Sequence, residues 1–224
     1  MIRLVHGLAV LALALSPVAA AGPAHGAPAD LVVLPLADSV AALPLRAESR
    51  DGYTRDAFRH WNTGADPTDG CSTRGEVLIA EAVTAPVVGV GVGCALTGGT
   101  WYSYYDDITV TAASSLDIDH MVPLAEAWDS GASTWDSARR EAYANDLAQE
   151  SSLVAVTARS NRSKADQDPA QWLPPTPGAV CRYTSEWTAT KLRWTLTADQ
   201  SELDRLNELA ADCTETLVAY IPAP

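Results

Sequence analysis

The segment SLDIDHMVP, residues 115–123, restricts the fold of this 224-residue chain more than any other segment does. Apolar and acidic residues alternate from Leu116 to Asp119, which is typical of a strand with one buried face. The alternation ends at His120, and Pro123 cannot donate a ladder hydrogen bond. Because neighbouring side chains of a straight strand point to opposite faces, Asp119 and His120 can share one site only if the chain turns there. We therefore predict a strand that ends in a turn, at a site that holds a carboxylate beside an imidazole.

The first residues have the pattern of a secretory signal peptide. Arg3 precedes the apolar run LAVLALAL, and small residues follow it, which predicts a signal peptide over residues 1–27. The apolar run is too short to span a bilayer. Residues 28–50 are expected to form an extended lead-in and residues 51–214 one domain with a substantial core. The expected product is a secreted, extracellular protein, monomeric and without a membrane segment.

Four cysteines follow the predicted signal peptide, as expected for a protein of an oxidising compartment. Three pairings are possible, and the order along the chain favours Cys71–Cys94 and Cys181–Cys213. Zinc binding is the alternative, but the cysteines are widely spaced and no CxxC pair occurs. We predict two structural disulfides.

The chain is acidic, with 15 basic and 28 acidic residues and a formal net charge of −13. Removal of the predicted signal peptide takes away Arg3 and no acid, which leaves 14 basic residues against 28 acidic ones and a charge of −14. Binding to nucleic acid usually depends on basic contacts. The charge therefore argues against a nucleic-acid ligand unless a bound divalent cation and a small basic cluster outweigh it locally.

Hydrophobic periodicity and turn residues predict both helices and strands, so the expected fold class is α+β. The predicted helices cover residues 73–81, 184–194 and 198–212, with further helical segments between residues 121 and 150. The predicted strands cover residues 85–94, 99–104, 115–120 and 152–158.

The histidine count narrows the possible chemistry. Beyond residue 27 the chain has only His60 and His120, which excludes a zinc site with three histidines. Neither a GxSxG elbow nor a GxxxxGK[ST] loop occurs. The remaining ligands are Asp, Glu and Asn, whose oxygens suit Mg²⁺, Mn²⁺ or Ca²⁺. His60, beside Trp61, is expected to be a packed or surface residue.

Hydrolysis of a phosphodiester needs a base for the attacking water and a positive centre beside the phosphate. His120 can be the base because imidazole titrates near neutrality. Asp119 can hold a cation. The polar run at residues 160–168 offers an amide oxygen from Asn161, together with the charges of Arg162 and Lys164 for a phosphate. Asp117 is either a further support for the metal or a surface carboxylate.

Three segments, DIDHMVPL, YANDL and SNRSKADQDPAQWLPP, together resemble the HNH, or ββα-metal, endonucleases, and specifically their secreted bacterial branch. The segments GYTRDAFRHW, GCSTRGEVL and GGTWYSYYDD, with the terminal CRYTSEW…KLRW…L…C, extend the resemblance to roughly residues 50–213. It implies a ββα-metal (HNH) core with an N-terminal extension and C-terminal helices. The sequence departs from the family pattern at Ala165, where a glycine is expected.

The resemblance also assigns roles to residues. It implies that His120 is the general base and that Asp119 and Asn161 are metal ligands. Asn145, in YANDL, would orient the site. Apart from the resemblance, the charge that Lys164 offers to a phosphate makes it a further catalytic candidate. The candidates for contact with nucleic acid are Arg162, Arg55 and Arg74. For Arg55 and Arg74, pairing with carboxylates of this acidic chain is the alternative.

The sequence therefore predicts a secreted endonuclease that uses a divalent cation, Mg²⁺, Mn²⁺ or Ca²⁺. Its predicted substrate is DNA, with RNA as a further candidate, and cleavage is expected to be largely non-specific because contacts to the backbone carry no sequence information. Two alternatives stay open. One is a secreted, non-catalytic binding module on the same fold, and the other is a phosphodiesterase that acts on small substrates.

Overall fold

The computed structural model describes residues 30–89 and 93–224, so the predicted signal peptide over residues 1–27 lies outside the described residues. Within this part the strands, which form four antiparallel pairs, are β1 (Val32–Pro35), β2 (Val87–Val88), β3 (Leu96–Thr97), β4 (Trp101–Ser103), β5 (Ile108–Val110), β6 (Leu116–His120), β7 (Leu153–Thr157) and β8 (Leu217–Tyr220). The helices are α1 (Leu36–Ala41), α2 (Thr73–Ala80), α3 (Leu124–Asp129), α4 (Ser137–Ala144), α5 (Ala158–Lys164), α6 (Val180–Trp194) and α7 (Gln200–Asp212). No helix among these is long and apolar enough to cross a membrane.

Strands β6 and β7 pair antiparallel, and α5 follows β7 without a loop. All five residues of β7 are buried, and its sequence LVAVT is apolar and rich in β-branched residues, which favour strands. Thr157 both ends β7 and caps α5, because its side-chain oxygen accepts a hydrogen bond from the Ser160 N–H at 3.2 Å. The helices α3 and α4 lie between the two strands. The predicted order of strand, helical insertion and strand is therefore observed, but the polar run that starts at residue 160, predicted as a loop leading into a helix, already belongs to α5.

Strand β6 presents different residues to its two sides. Leu116 and Ile118 pack with residues of α2, so the side that they share with His120 is called the α2 face. Asp117 and Asp119 point to the opposite side, where α5 packs against the strand, and this side is called the α5 face. Both sides of the strand are thus covered by helices.

Residues 32–41 form β1 and α1, where the sequence predicted an extended lead-in. Strand β1 pairs with β8, from Val32 opposite Tyr220 to Pro35 opposite Leu217. Helix α1 packs on α6 and α7 and buries its apolar side in the main core. Elements of four and six residues are too short to show a clear period, which is why the pattern did not reveal them.

Both predicted disulfides are confirmed. Cys71–Cys94 joins the start of α2 to the segment before β3, and Cys181–Cys213 joins the start of α6 to the end of α7. The predicted helices at residues 73–81, 184–194 and 198–212 correspond to α2, α6 and α7. The α+β class is therefore confirmed.

Candidate active site

His120 ends β6 with its side chain on the α2 face, where the residue is only 6 % exposed. Its Nε2 lies 2.9 Å from the backbone carbonyl oxygen of Ala144. A carbonyl oxygen can only accept, so Nε2 carries the hydrogen and the lone pair of the neutral ring is on Nδ1. Burial lowers the pKa of His120 to about 3, against the opposing effect of the Ala144 hydrogen bond. The structure therefore holds this imidazole neutral and in one tautomer near pH 7.

The segment at residues 55–61 lies beside the ring of His120. The ring centroids of Trp61 and His60 are 5.3 and 6.2 Å from that of His120. His60 Nδ1 lies 2.8 Å from the Phe58 carbonyl oxygen, which orients its ring. Trp61 has φ 59°, a conformation that bulky residues rarely adopt and that indicates local strain. The sequence predicted a packed or exposed His60; a contact with a residue sixty positions away gives no sequence signal.

Asn145 directly follows α4 and connects it to the segment beside His120. Its side chain makes four hydrogen bonds: Oδ1 accepts from Asn62 N at 3.0 Å and Thr73 Oγ1 at 2.9 Å, and Nδ2 donates to the carbonyl oxygens of Arg59 at 2.9 Å and Glu141 at 2.8 Å. Its neighbour Ala144 supplies the carbonyl oxygen that orients His120. This placement agrees with an orienting role for Asn145, which stays a prediction.

Asp119 and Lys164 form a buried ion pair on the α5 face. Lys164 Nζ lies 2.5 Å from Asp119 Oδ2 and donates to the carbonyl oxygens of His120 and Met121 at 3.0 and 2.9 Å. The Tyr105 hydroxyl donates to the same carboxylate oxygen at 2.7 Å. Burial raises the pKa of Asp119 and lowers that of Lys164, and each partner opposes the shift of the other. Lys164 is thus enclosed by protein groups, and its predicted catalytic role stays a prediction.

Asp117, rather than Asp119, is the carboxylate that contacts Asn161. Asn161 Nδ2 lies 3.3 Å and Arg162 Nε 3.5 Å from Asp117 Oδ2. The side chain of Asp117 is 32 % exposed and that of Arg162 is 77 % exposed, so the group is open to solvent. A half-turn of the Asn161 amide places its oxygen beside the carboxylate. The oxygens of Asp117 and Asn161 suit a hard divalent cation. Asp119 is the next residue of β6 on the same face.

The two remaining arginine candidates differ in exposure. Arg55 is exposed and forms no salt bridge with any residue in the described ranges, and its charge lowers the pKa of His120. Arg74 is half-buried, and its Nη2 donates to the carbonyl oxygens of Leu116 at 3.0 Å and Ala113 at 3.4 Å. Arg55 is therefore available to a ligand near His120, whereas Arg74 supports the start of β6.

Comparison with known proteins identifies the family of this chain. Residues 93–209, just over half of the chain, match the C-terminal domain of the GmrSD restriction endonucleases. A protein of the fungus Arthroderma benhamiae, described as an uncharacterized secreted protein, is 41 % identical over 164 residues, which are 73 % of this chain and 77 % of that protein. No solved structure is significantly similar.

The chain therefore belongs to the GmrSD C-terminal domain family, a nuclease-related family. The matched residues include β6, β7 and α5, and with them His120 and Asn161. A nuclease family implies nucleic acid as the substrate class. The relative is fungal, so the bacterial branch is not confirmed. Its description as secreted and the two disulfides agree with the predicted export.

Proposed function

We propose that the protein is a secreted, metal-dependent HNH (ββα-metal) endonuclease that hydrolyses phosphodiester bonds of DNA with little sequence preference. The proposal rests on the state of His120, a neutral imidazole whose lone pair is kept on Nδ1 by the hydrogen bond from Nε2 to Ala144. The succession of β6, β7 and α5 around this residue supports the HNH core, and membership of the family supports nuclease chemistry.

In the proposed reaction His120 Nδ1 takes a proton from a water molecule, and the water oxygen forms a bond to phosphorus. The bond between phosphorus and the 3′ oxygen breaks, and the leaving oxygen takes a proton from solvent. The products carry 5′-phosphate and 3′-hydroxyl ends. A base with a pKa of about 3 is weak, but a phosphate beside it raises the pKa of His120, because negative charge stabilises the imidazolium.

Asp117 and Asn161 would hold the divalent cation. Asp119 is on the same face of β6. When bound, the cation supplies positive charge for the phosphate and the leaving oxygen. The side chain of Asp117 is 32 % exposed, whereas those of Asp119 and Lys164 are 5 % and 0 % exposed. We therefore assign the metal to Asp117 and Asn161, which are partly exposed, and the enclosed Asp119–Lys164 pair to support of the strand end.

Exposed arginines would provide the contacts to the nucleic-acid backbone. Arg55 is on the side of His120, and Arg162 is beside Asp117. Such contacts read no sequence, which supports non-specific cleavage. Because the chain carries a net charge of −13, we expect weak binding that falls further as salt concentration rises.

The test is cleavage of closed circular plasmid DNA by the disulfide-intact protein in Mg²⁺, Mn²⁺, Ca²⁺ or EDTA. We expect nicking that requires a divalent cation. His120→Ala is expected to lower the rate by about 10² to 10⁴, the usual contribution of a general base. His60→Ala is the matched control, since it removes the neighbouring imidazole and leaves the proposed base in place. Parallel reactions on RNA and on a small phosphodiester define the substrate.

Each outcome separates the proposal from its alternatives. Metal-independent nicking, or nicking that persists in His120→Ala, contradicts the assignment of the base. Cleavage of the small phosphodiester alone supports the small-substrate phosphodiesterase. No cleavage of any substrate by folded protein, with no divalent cation bound at Asp117 and Asn161, supports the binding module.

A further inference from the structure

A second group of carboxylates lies away from His120, where α3 meets the segments that precede α7 and follow α5. One side-chain oxygen from each of Glu48, Glu126 and Asp129 lies within 4.8 Å of the other two. Glu48 also forms such a group with Asp168 and Asp199. Four other carboxylates therefore lie close to that of Glu48.

The cations nearby, buried Lys191 and exposed Arg50, neutralise only part of this charge. Lys191 is fully buried, and its Nζ lies 2.9 Å from Glu126 Oε1 and 2.5 Å from Glu202 Oε2. Arg50 Nε lies 2.6 Å from Asp129 Oδ2. Arg50 Nη1 also lies 2.6 Å from Asp166 Oδ2, so the two cations are already paired with four carboxylates, of which Glu202 and Asp166 add to the negative charge of the region. Within the described residues, no salt bridge reaches Glu48.

One oxygen of Asp129 and one of Glu48 have no partner among the described residues, which is an observation separate from the crowding of charge. Asp129 is 7 % exposed, and its Oδ1 is buried without a hydrogen bond to any described residue. Glu48 Oε1 is likewise buried without a hydrogen bond to any described residue. Buried carboxylate oxygens without a donor are costly and call for an explanation. Burial and the charge of Glu126 raise the pKa of Glu48 to about 8, which agrees with a shortage of positive charge.

We infer that Glu48, Glu126 and Asp129 form a binding site for a divalent cation, Ca²⁺, distinct from the proposed catalytic metal. The site offers carboxylate oxygens only, which suit Ca²⁺ and do not suit zinc. Ca²⁺ accepts six to eight oxygens in variable geometry, whereas Mg²⁺ demands near-octahedral geometry and retains water. The bound ion gives the two orphaned oxygens a partner and fastens the segment at residue 48 to α3.

Binding is tested on the full folded chain, after removal of divalent ions by chelation, by calorimetric titration with Ca²⁺ and by thermal unfolding. The titration uses the Asp117→Asn/Asn161→Ala variant, so that the proposed catalytic metal site does not contribute. We expect one Ca²⁺ per chain and a rise in Tm of about 5–10 °C when free Ca²⁺ is about 100 times its Kd. Mg²⁺ at the same concentration is expected to raise the Tm less.

Glu48→Gln in that background is expected to weaken Ca²⁺ binding at least tenfold, and adding Asp129→Asn is expected to abolish it. Glu48→Gln keeps the shape of the side chain and breaks no hydrogen bond of the described residues, so the variant should fold. Glu215→Gln, at an exposed position, is the control and should bind as the parent does. Absence of Ca²⁺ binding by the parent, or unchanged binding by both Glu48 variants, overturns the inference. Neither result bears on nuclease activity, which is measured separately.

Discussion

Each face of β6 holds a buried polar group, and the two groups are accommodated in opposite ways. On the α5 face Asp119 is paired with Lys164 and hydrogen-bonded by Tyr105. On the α2 face His120 lies among aromatic rings, and burial keeps it uncharged. A buried charge is stabilised by a partner of opposite charge, whereas a buried imidazole loses its proton and so avoids the free-energy cost of removing a charge from water. One strand thus holds a fixed ion pair and a neutral base on adjacent residues.

The two faces are also mechanically connected. Lys164 donates to the carbonyl oxygens of His120 and Met121 as well as to Asp119. The ion pair therefore fixes the backbone from which the imidazole projects. The difference between the faces can be tested by disrupting each one separately.

Loss of the ion pair should have the largest effect on stability. Lys164→Met leaves Asp119 buried without its cation, and removal of one partner of such a pair costs about 3–5 kcal/mol. Adding Asp119→Asn to this variant should recover part of that loss, because no uncompensated charge remains. Urea unfolding of both single variants and the double variant measures the coupling energy between them. Strictly additive losses would show that the two side chains do not act as a pair.

Burial of His120 on the α2 face should affect how the free energy of unfolding depends on pH. The folded-state pKa of His120, about 3, is below the value of about 6.5 in the unfolded chain. The stability that depends on keeping His120 uncharged is therefore fully present above about pH 6.5 and is lost as the pH falls toward 3. Within that window each pH unit removes up to about 1.4 kcal/mol. Denaturant unfolding from pH 8 to pH 4 should show a smaller decline for His120→Gln than for the wild type, with His60→Gln as control. Parallel curves for His120→Gln and the wild type contradict the buried, neutral assignment.

The smallest effect is expected where α5 ends. Ala165 has φ 51°, a conformation that favours glycine and strains an alanine. Ala165→Gly should therefore raise the free energy of unfolding by about 1 kcal/mol, since release of strain exceeds the entropy cost of glycine. Ala142→Gly, at an exposed position within α4, is the control and should lower it by about 1 kcal/mol. A loss of stability in both variants would mean that Ala165 is unstrained.

The sequence revealed the local parts of this site better than the contacts between them. The alternation from Leu116 to Asp119 and the run LVAVT predicted β6 and β7, because strand patterns are local. The departure at Ala165 corresponds to a positive φ, which a glycine would have adopted freely. The enclosure of Lys164 gave no signal, since a lysine in a polar run looks exposed until a strand and α6 pack around it.

The same limit applies to the metal ligands. Alternation placed Asp117 and Asp119 on one side of the strand, but it did not indicate which of them would contact Asn161. That choice depends on how α5 packs on β6, which puts Lys164 against Asp119 and Asn161 against Asp117. Likewise, the neighbourhood of His60 and His120 results from long-range packing.

The pairing of β1 with β8 affects when the molecule can mature. Val32 pairs with Tyr220, so this ladder cannot form until both segments have been synthesised. Strand β8 also packs on α6, whose Trp187 ring lies 5.8 Å from Lys164 Nζ. A nascent chain that lacks β8 therefore lacks part of the framework behind β6. The order of synthesis therefore delays completion of the framework around β6 until β8 has emerged.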